Sequence, residues 1–252
     1  MDFSPIYQKT LNELRAQHAA AADLMERQKY RLFYTDPRVT LTPGPIYFCG
    51  LKPYGKADTN YGTRPVEEQP ARFAAYLDEP IAASDFAKRT VRLLSALQRT
   101  MDRPVAPRDV FCTNWFFYRA PDTAALRRYG LERIAHPEWH ADWLRVVRPR
   151  VIVCAGNGPV SAFRGMCRLH GLGEADEDQL PIGRSARLKY AWTQQQEDTR
   201  LDGQRLILGL PHLSRYDLDI LLPSGETLLA ACERLVIQYT GPYRTAATPD
   251  AV

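Results

Sequence analysis

Short apolar runs bounded by Gly and Pro alternate along this chain with longer stretches whose apolar residues recur every three or four positions. PGPIYFCG (43–50), DVFCTNW (109–115), VIVCAG (151–156) and RLILGL (205–210) are too short and too continuous for helices, and each is read as a strand. VIVCAG has no polar position, so it predicts a strand covered on both faces. Between these runs the period changes. Ser84 is placed to cap a helix with the stripe Phe86, Thr90, Leu94, Leu97 and Met101. HPEWHADWLRVV (136–147) predicts a second helix that stops before Pro149. GNGPVSAFRGMCRL (156–169) predicts a third, with Pro159 in its first turn. Ser224 is placed to cap a last one with the stripe Leu228, Cys232, Leu235 and Val236. Residues 3–33 carry a weaker helical stripe through Ile6, Leu11, Leu14 and Met25. Residues 171–204 are polar and read as an excursion outside the core.

Four strands alternating with helices predict an α/β fold, a three-layer α/β/α sandwich around a central, mainly parallel four-stranded sheet. The expected organisation is an N-terminal helical segment (1–42) packed on the core, one α/β domain (43–240) and a frayed tail (241–252). With 252 residues, 45% of them hydrophobic, the chain has enough material for one sizeable core. No apolar run approaches the length of a membrane span, and the N-terminus lacks the basic-then-apolar pattern of a secretory leader. Five scattered cysteines without a C-x-x-C pair read as small core residues in a reducing compartment. The expectation is therefore a cytoplasmic monomer without metal, cofactor or membrane partner. A formal net charge of +4 is too mild to declare a polyanionic partner and does not oppose one.

In a parallel sheet flanked by helices, sites form beyond the carboxyl ends of the strands. The segments there are GLKPYG (50–55), TNWFFYR (113–119), AGNGP (155–159) and LPHLSRYD (210–217). They hold the unusual polar residues of the chain: Lys52, Asn114, Asn157, His212 and Ser214, with Asp58 and Asn60 a few positions past the first strand. Tyr54, Tyr61, Trp115, Phe116 and Tyr216 add aromatic surface. Taken singly each feature is ordinary. A Gly-Pro loop after a strand is a turn, an Asn ending a strand is a cap, and AGNGP is either helix entry or a cradle of backbone N–H groups for phosphate. The weight lies in four such segments at one end of one sheet.

The order and content of these segments resemble the uracil-DNA glycosylase superfamily. Its first motif follows the first strand as GQDPYH, GINPG or GEAPG, and GLKPYG shares Gly50, Pro53 and Tyr54 with the first form. Its late motif, LPHPS, is similar to LPHLS here, which keeps His212 and Ser214. A middle strand ending in TN supplies Asn114, and HPEWHADWLRVVRPRVIVCAGNGPVSAF is similar to the family's PWL…RPKVIVALG segment. The likeness covers residues 43 to 238. It implies a DNA glycosylase that flips a modified or damaged base out of the stack and hydrolyses its N-glycosidic bond, leaving an abasic site. It further implies that His212 donates to the leaving base and Asn114 reads its amide edge beside Gly50. Tyr54 or Phe116 would stack on the base, while Ser214, Asn157 and loop N–H groups would meet phosphates. Arg215 and Tyr216 fall where the family inserts a side chain into the space the base leaves.

Three departures bear on the chemistry. The family's catalytic acidic or amide position is Lys52 here; His136 stands where cluster-bearing branches have a cysteine; and Leu213 replaces the late proline. Lys52 has two readings. With a depressed pKa it is an amine nucleophile. With an ordinary one it is a phosphate or substrate contact, and Asp58 or a water held by Asn60 serves the sugar. A longer basic side chain there also suits a bulky or anionic modified base of the kind phage genomes carry, which would make the protein an antiphage defence enzyme. The competing reading is a degenerate member that holds DNA or a nucleotide without cutting it.

Overall fold

The computed structural model describes residues 5–6, 9–10, 12–13, 16, 31–53, 70–120, 122–128, 135–182, 185–193 and 203–241. Its centre is a six-stranded mixed sheet: β1 (Ile46–Gly50), β2 (Phe111–Asn114), β3 (Val151–Ala155), β4 (Glu177–Ile182), β5 (Ala186–Thr193) and β6 (Arg205–Leu210). The order is β2-β1-β3-β6-β5-β4. The first four are parallel and are the four strands read from the sequence; β5 and β4 join antiparallel beyond β6. The expected four-stranded sheet is thus corrected to six, and the polar excursion turns out to be a hairpin. β4 (EDQLPI) lies at the sheet edge, where Glu177, Asp178 and Pro181 blunt an open row of backbone groups. Such a strand has no need of a continuous apolar run.

Alternation along the central strands divides the core. Tyr47, Cys49, Phe111, Ile152, Cys154 and Ile207 face one side, where they meet α2 (Pro137–Val147) and α3 (Ala162–Leu169) through Trp139, Trp143, Phe163 and Met166. Phe48, Cys112, Val153, Leu206 and Leu208 face the other, against α1 (Asp85–Arg99) and α4 (Leu228–Thr240) through Leu93, Leu94, Leu97, Ala231 and Leu235. Helices therefore lie on both faces, as a parallel sheet buried on both sides requires. Among the described residues no helix is long and apolar enough to cross a membrane. All five cysteines are free and buried.

The caps follow the local chemistry, with two shifts. The Ser84 side chain accepts from Ala87 N–H and starts α1 where the sequence places it. α3 begins at Ala162, capped by Ser161, so Gly156–Val160 is an open loop instead of a first helical turn. α4 is capped by Thr227, three residues after Ser224. Residues 31–35, of which 31–33 fall in the expected helix, run extended along the outer edge of β2, with Phe33 bridged to Thr113 and Tyr34 N–H bonded to Cys112 C=O at 2.8 Å. This segment covers the edge that β2 would otherwise leave open. Nearer the N-terminus, Lys9 pairs with Asp142 at 2.7 Å and Glu13 accepts from the Trp139 indole at 2.6 Å, which docks the described helical residues there on α2.

Candidate active site

The chain leaves β1 for β2 on one side and returns to β3 on the other, so a crevice opens beyond the carboxyl ends of β1 and β3. A cleft of about 640 Å³ occupies this end of the sheet, a volume suited to a nucleotide-sized group. Leu51 and Lys52 line it after β1, Gly156–Gly158 after β3, and His212, Ser214, Arg215 and Tyr216 after β6. Arg187 and Lys189 enter from β5, and Asp122 and Thr123 close another side.

Lys52 is held at its root. Trp115 N–H donates to Gly50 C=O at 2.8 Å and Phe116 N–H to Leu51 C=O at 2.9 Å, so the β1–β2 ladder continues two residues past the strands. The side chain is half-buried, and burial, opposed by the charge of Asp122 and reinforced by that of Arg119, lowers its ammonium pKa below the ordinary value. Arg119 is itself buried, beside Tyr34, Arg31 and Glu79. Nothing in the sequence marks Arg119 as part of the site; it follows an aromatic run and reads as an ordinary loop arginine.

The late motif builds its own geometry. Pro211 and Leu213 are buried while His212 and Ser214 point outward. Leu213 sits in the core and its carbonyl accepts from Arg89 at 2.8 Å, so the residue that replaces proline anchors the loop by burial. Arg215 N–H closes a turn onto His212 C=O at 2.9 Å. Within that turn His212 Nδ1 meets the Ser214 hydroxyl at 2.7 Å and the Ser214 backbone N–H at 3.3 Å. A backbone N–H only donates, so Nδ1 is the acceptor and the ring proton sits on Nε2. The imidazole leans on Phe86, centroids 5.3 Å apart. Partial desolvation against the loop, then the charges of Lys52 and Arg215, lower its pKa below the ordinary value. Phe86 was legible as part of a helical stripe, yet it is half-buried and serves this ring at the rim of the cleft.

Asn114 ends β2 in register with Gly50. It is 2% exposed, and its Nδ2 has no hydrogen-bond partner among the described residues. A buried orphan donor costs about 1–3 kcal/mol, which a ligand able to accept from it would recover. A Cβ added at Gly50 would collide with Asn114 Oδ1, so the first glycine of GLKPYG makes room for this amide.

Other expected residues stand differently. Asn157 is in the cleft, but its Nδ2 donates to Arg187 C=O at 2.6 Å and Gly209 C=O at 2.7 Å; it ties the β3 loop to β5 and β6 and has only its oxygen to offer a ligand. Phe116 is buried and lines a separate cavity of about 490 Å³ with Trp115, Pro137 and Arg168. It is not brought to the cleft that holds His212, because residues 115 and 116 turn toward the α2–α3 face. Tyr54, Asp58 and Asn60 lie outside the described residues. Asp122, which faces Lys52, was not among the sequence candidates; it lies in a Pro-Asp-Thr turn that reads as helix entry.

No family model matches this chain. A search of the curated proteins finds no match either. The site must be interpreted from its own chemistry.

Cations outnumber carboxylates around the cleft. Lys52, Arg187, Lys189 and Arg215 line it against Asp122, and Lys189 is partly engaged by Glu177 at 3.3 Å. An anionic polymer seated there would displace counterions. Were duplex DNA the partner, its binding would weaken with salt, with a log–log slope of about −2 or steeper. A flat plot from titrations at several salt concentrations would remove nucleic acid as the partner.

Proposed function

We propose that this protein is a DNA glycosylase that hydrolyses the N-glycosidic bond of a flipped-out modified or damaged base, a pyrimidine by its resemblance. The observation that carries this reading is the pairing of two groups at one end of the sheet. His212 is locked as a neutral Nε2–H donor by Ser214, and Asn114 holds a buried, unpartnered amide N–H. Breaking a glycosidic bond loads negative charge onto the departing base, and a fixed donor stabilises that charge where it develops. A buried amide reads the edge of an extruded base, and the unmet N–H favours a base with a carbonyl at that edge. Arg187 and Arg215 would hold the flanking phosphates, and Arg215 with Tyr216 would stand at the duplex opening.

In the hydrolytic step a water attacks the anomeric carbon as the base leaves through an oxocarbenium-like sugar. The group that orients this water, Asp58 or Asn60 on the sequence reading, belongs to the segment after Pro53. A role in antiphage defence follows if the base is one that phage genomes carry.

The decisive experiment offers duplexes that each contain one modified or damaged base and scores abasic sites by alkaline strand scission. Release of one base class above the others supports the reading. Salt-sensitive DNA binding with no release from any duplex supports the non-cutting binder instead.

A further inference from the structure

We propose that Lys52 gives this protein a second activity on abasic DNA: its amine captures the exposed sugar aldehyde as an imine and cleaves the strand by β-elimination. The inference rests on the glycosylase reading, since the cleft must first admit an extruded deoxyribose.

Lys52 is the first polar side chain past β1, and the backbone just before it is pinned by the bonds from Trp115 and Phe116 to the Gly50 and Leu51 carbonyls. It lies in one cleft with His212, so an aldehyde left where the base departed is within the same enclosure. Among the described residues its Nζ makes no hydrogen bond or ion pair. The amine is half-buried in the cleft, and that burial, opposed by the charge of Asp122 and reinforced more weakly by that of Arg119, lowers its proton affinity. A partly desolvated lysine without a partner has its lone pair more readily available for attack on a carbonyl. Asp122 supplies the nearby negative charge that keeps the imine's cationic form tolerable.

The chemistry closes without a further co-reactant. The Nζ lone pair adds to C1′ of the ring-opened sugar, and loss of water with uptake of one proton from solvent gives a protonated imine. The imine acidifies C2′; its proton passes to water in the open cleft, the electron pair forms the C2′–C3′ double bond, and the C3′–O bond breaks with the phosphate as leaving group. Water then hydrolyses the imine, releasing the unsaturated aldehyde end and regenerating Lys52.

The test needs no knowledge of the excised base. A duplex with one preformed aldehydic abasic site is incubated with the protein and cyanoborohydride, beside a duplex carrying the tetrahydrofuran analogue, which has no aldehyde. The expected result is a covalent adduct on the aldehydic duplex alone, mapped by peptide mass to Lys52, with strand cleavage when reductant is omitted. At protein concentrations that saturate the tetrahydrofuran duplex for each variant, Lys52→Ala and Lys52→Arg should each lower adduct and cleavage by about 100-fold or more. An adduct that persists in Lys52→Ala, or maps to another lysine, overturns the proposal. So does the absence of an adduct from a protein that binds the tetrahydrofuran duplex, and that outcome leaves the glycosylase reading intact. Failure to bind either duplex at low salt overturns both.

Discussion

Between pH 7 and pH 4 this protein is expected to lose much of its folding stability, through histidines that the fold keeps neutral. His140 is fully buried, hydrogen-bonded through Nδ1 to Tyr47 Oη at 2.8 Å and stacked on Trp115. Burial pushes its pKa down to about 3. Burial likewise pushes His170, whose Nδ1 bonds to Met166 C=O at 2.8 Å, down to about 4. His136 is also lowered, by burial ahead of the opposing charge of Glu138. In the unfolded chain each of these titrates near its ordinary value of about 6.5. Above that pH both states are neutral and proton binding makes no difference to stability. Below it the unfolded chain binds protons that the folded protein excludes, so stability falls as pH falls until each folded pKa is reached. The slope is about 1.4 kcal/mol per pH unit for each histidine, and two of them across this window amount to on the order of 5 kcal/mol. That is comparable with the whole stability of many domains. Urea midpoints at pH 7, 6, 5 and 4 measure it. His170→Gln, which stays neutral and keeps an N–H for the Met166 carbonyl, should remove one histidine's share of the slope, about 1.4 kcal/mol per pH unit. A midpoint that is flat down to pH 4 would show that the imidazoles are not kept neutral by the fold.

Removing the donor at the late motif is expected to have the larger effect on chemistry. On the proposed glycosylase reading, and with the excised base identified, His212→Ala should lower the single-turnover rate of base release by roughly 10²–10³-fold, the scale for losing one fixed donor to a developing anion. Binding to the tetrahydrofuran duplex should change little, because the ring contributes most when charge builds on the base. Ser214→Ala should cost less. It removes the hydroxyl from Nδ1 but leaves the backbone N–H at 3.3 Å that also fixes the tautomer. A Ser214→Ala rate as low as that of His212→Ala would mean that the serine has its own contact with the substrate. A His212→Ala protein that releases the base at the wild-type rate would move the leaving-group role to another residue.

The part of this fold that was legible in sequence is the part whose signal is local. A strand buried on both faces must be apolar at every position, so IYFCG and VIVCA announce themselves, and Ser84 meets the N–H of Ala87 wherever that turn is placed. The gathering of GLKPYG, TNWFF, AGNGP and LPHLS at one end follows from parallel strands, since every such strand ends on the same side. The register sets Gly50 beside Asn114 at that end.

What sequence did not carry depends on neighbours far along the chain. The hairpin Glu177–Thr193 looks like loop because its outer strand needs no apolar run at a sheet edge, and its partner alternates instead of running apolar. Residues 31–35 have no strand pattern of their own and are extended because β2 offers an open edge. Asn157 reads as a ligand group until the backbones of Arg187 and Gly209 are brought to its amide. Phe116 reads as a stacking ring until the turn after Asn114 sends it, with Trp115, to the other cavity. Arg119 and Asp122 become neighbours of Lys52 only when the sheet closes. The sequence by itself determined which backbone segments are buried and which polar residues crown the strands, because burial is written in each segment's own pattern. Only the tertiary structure decided which of those residues are free to act, because a side chain is free or spent according to what long-range packing sets beside it.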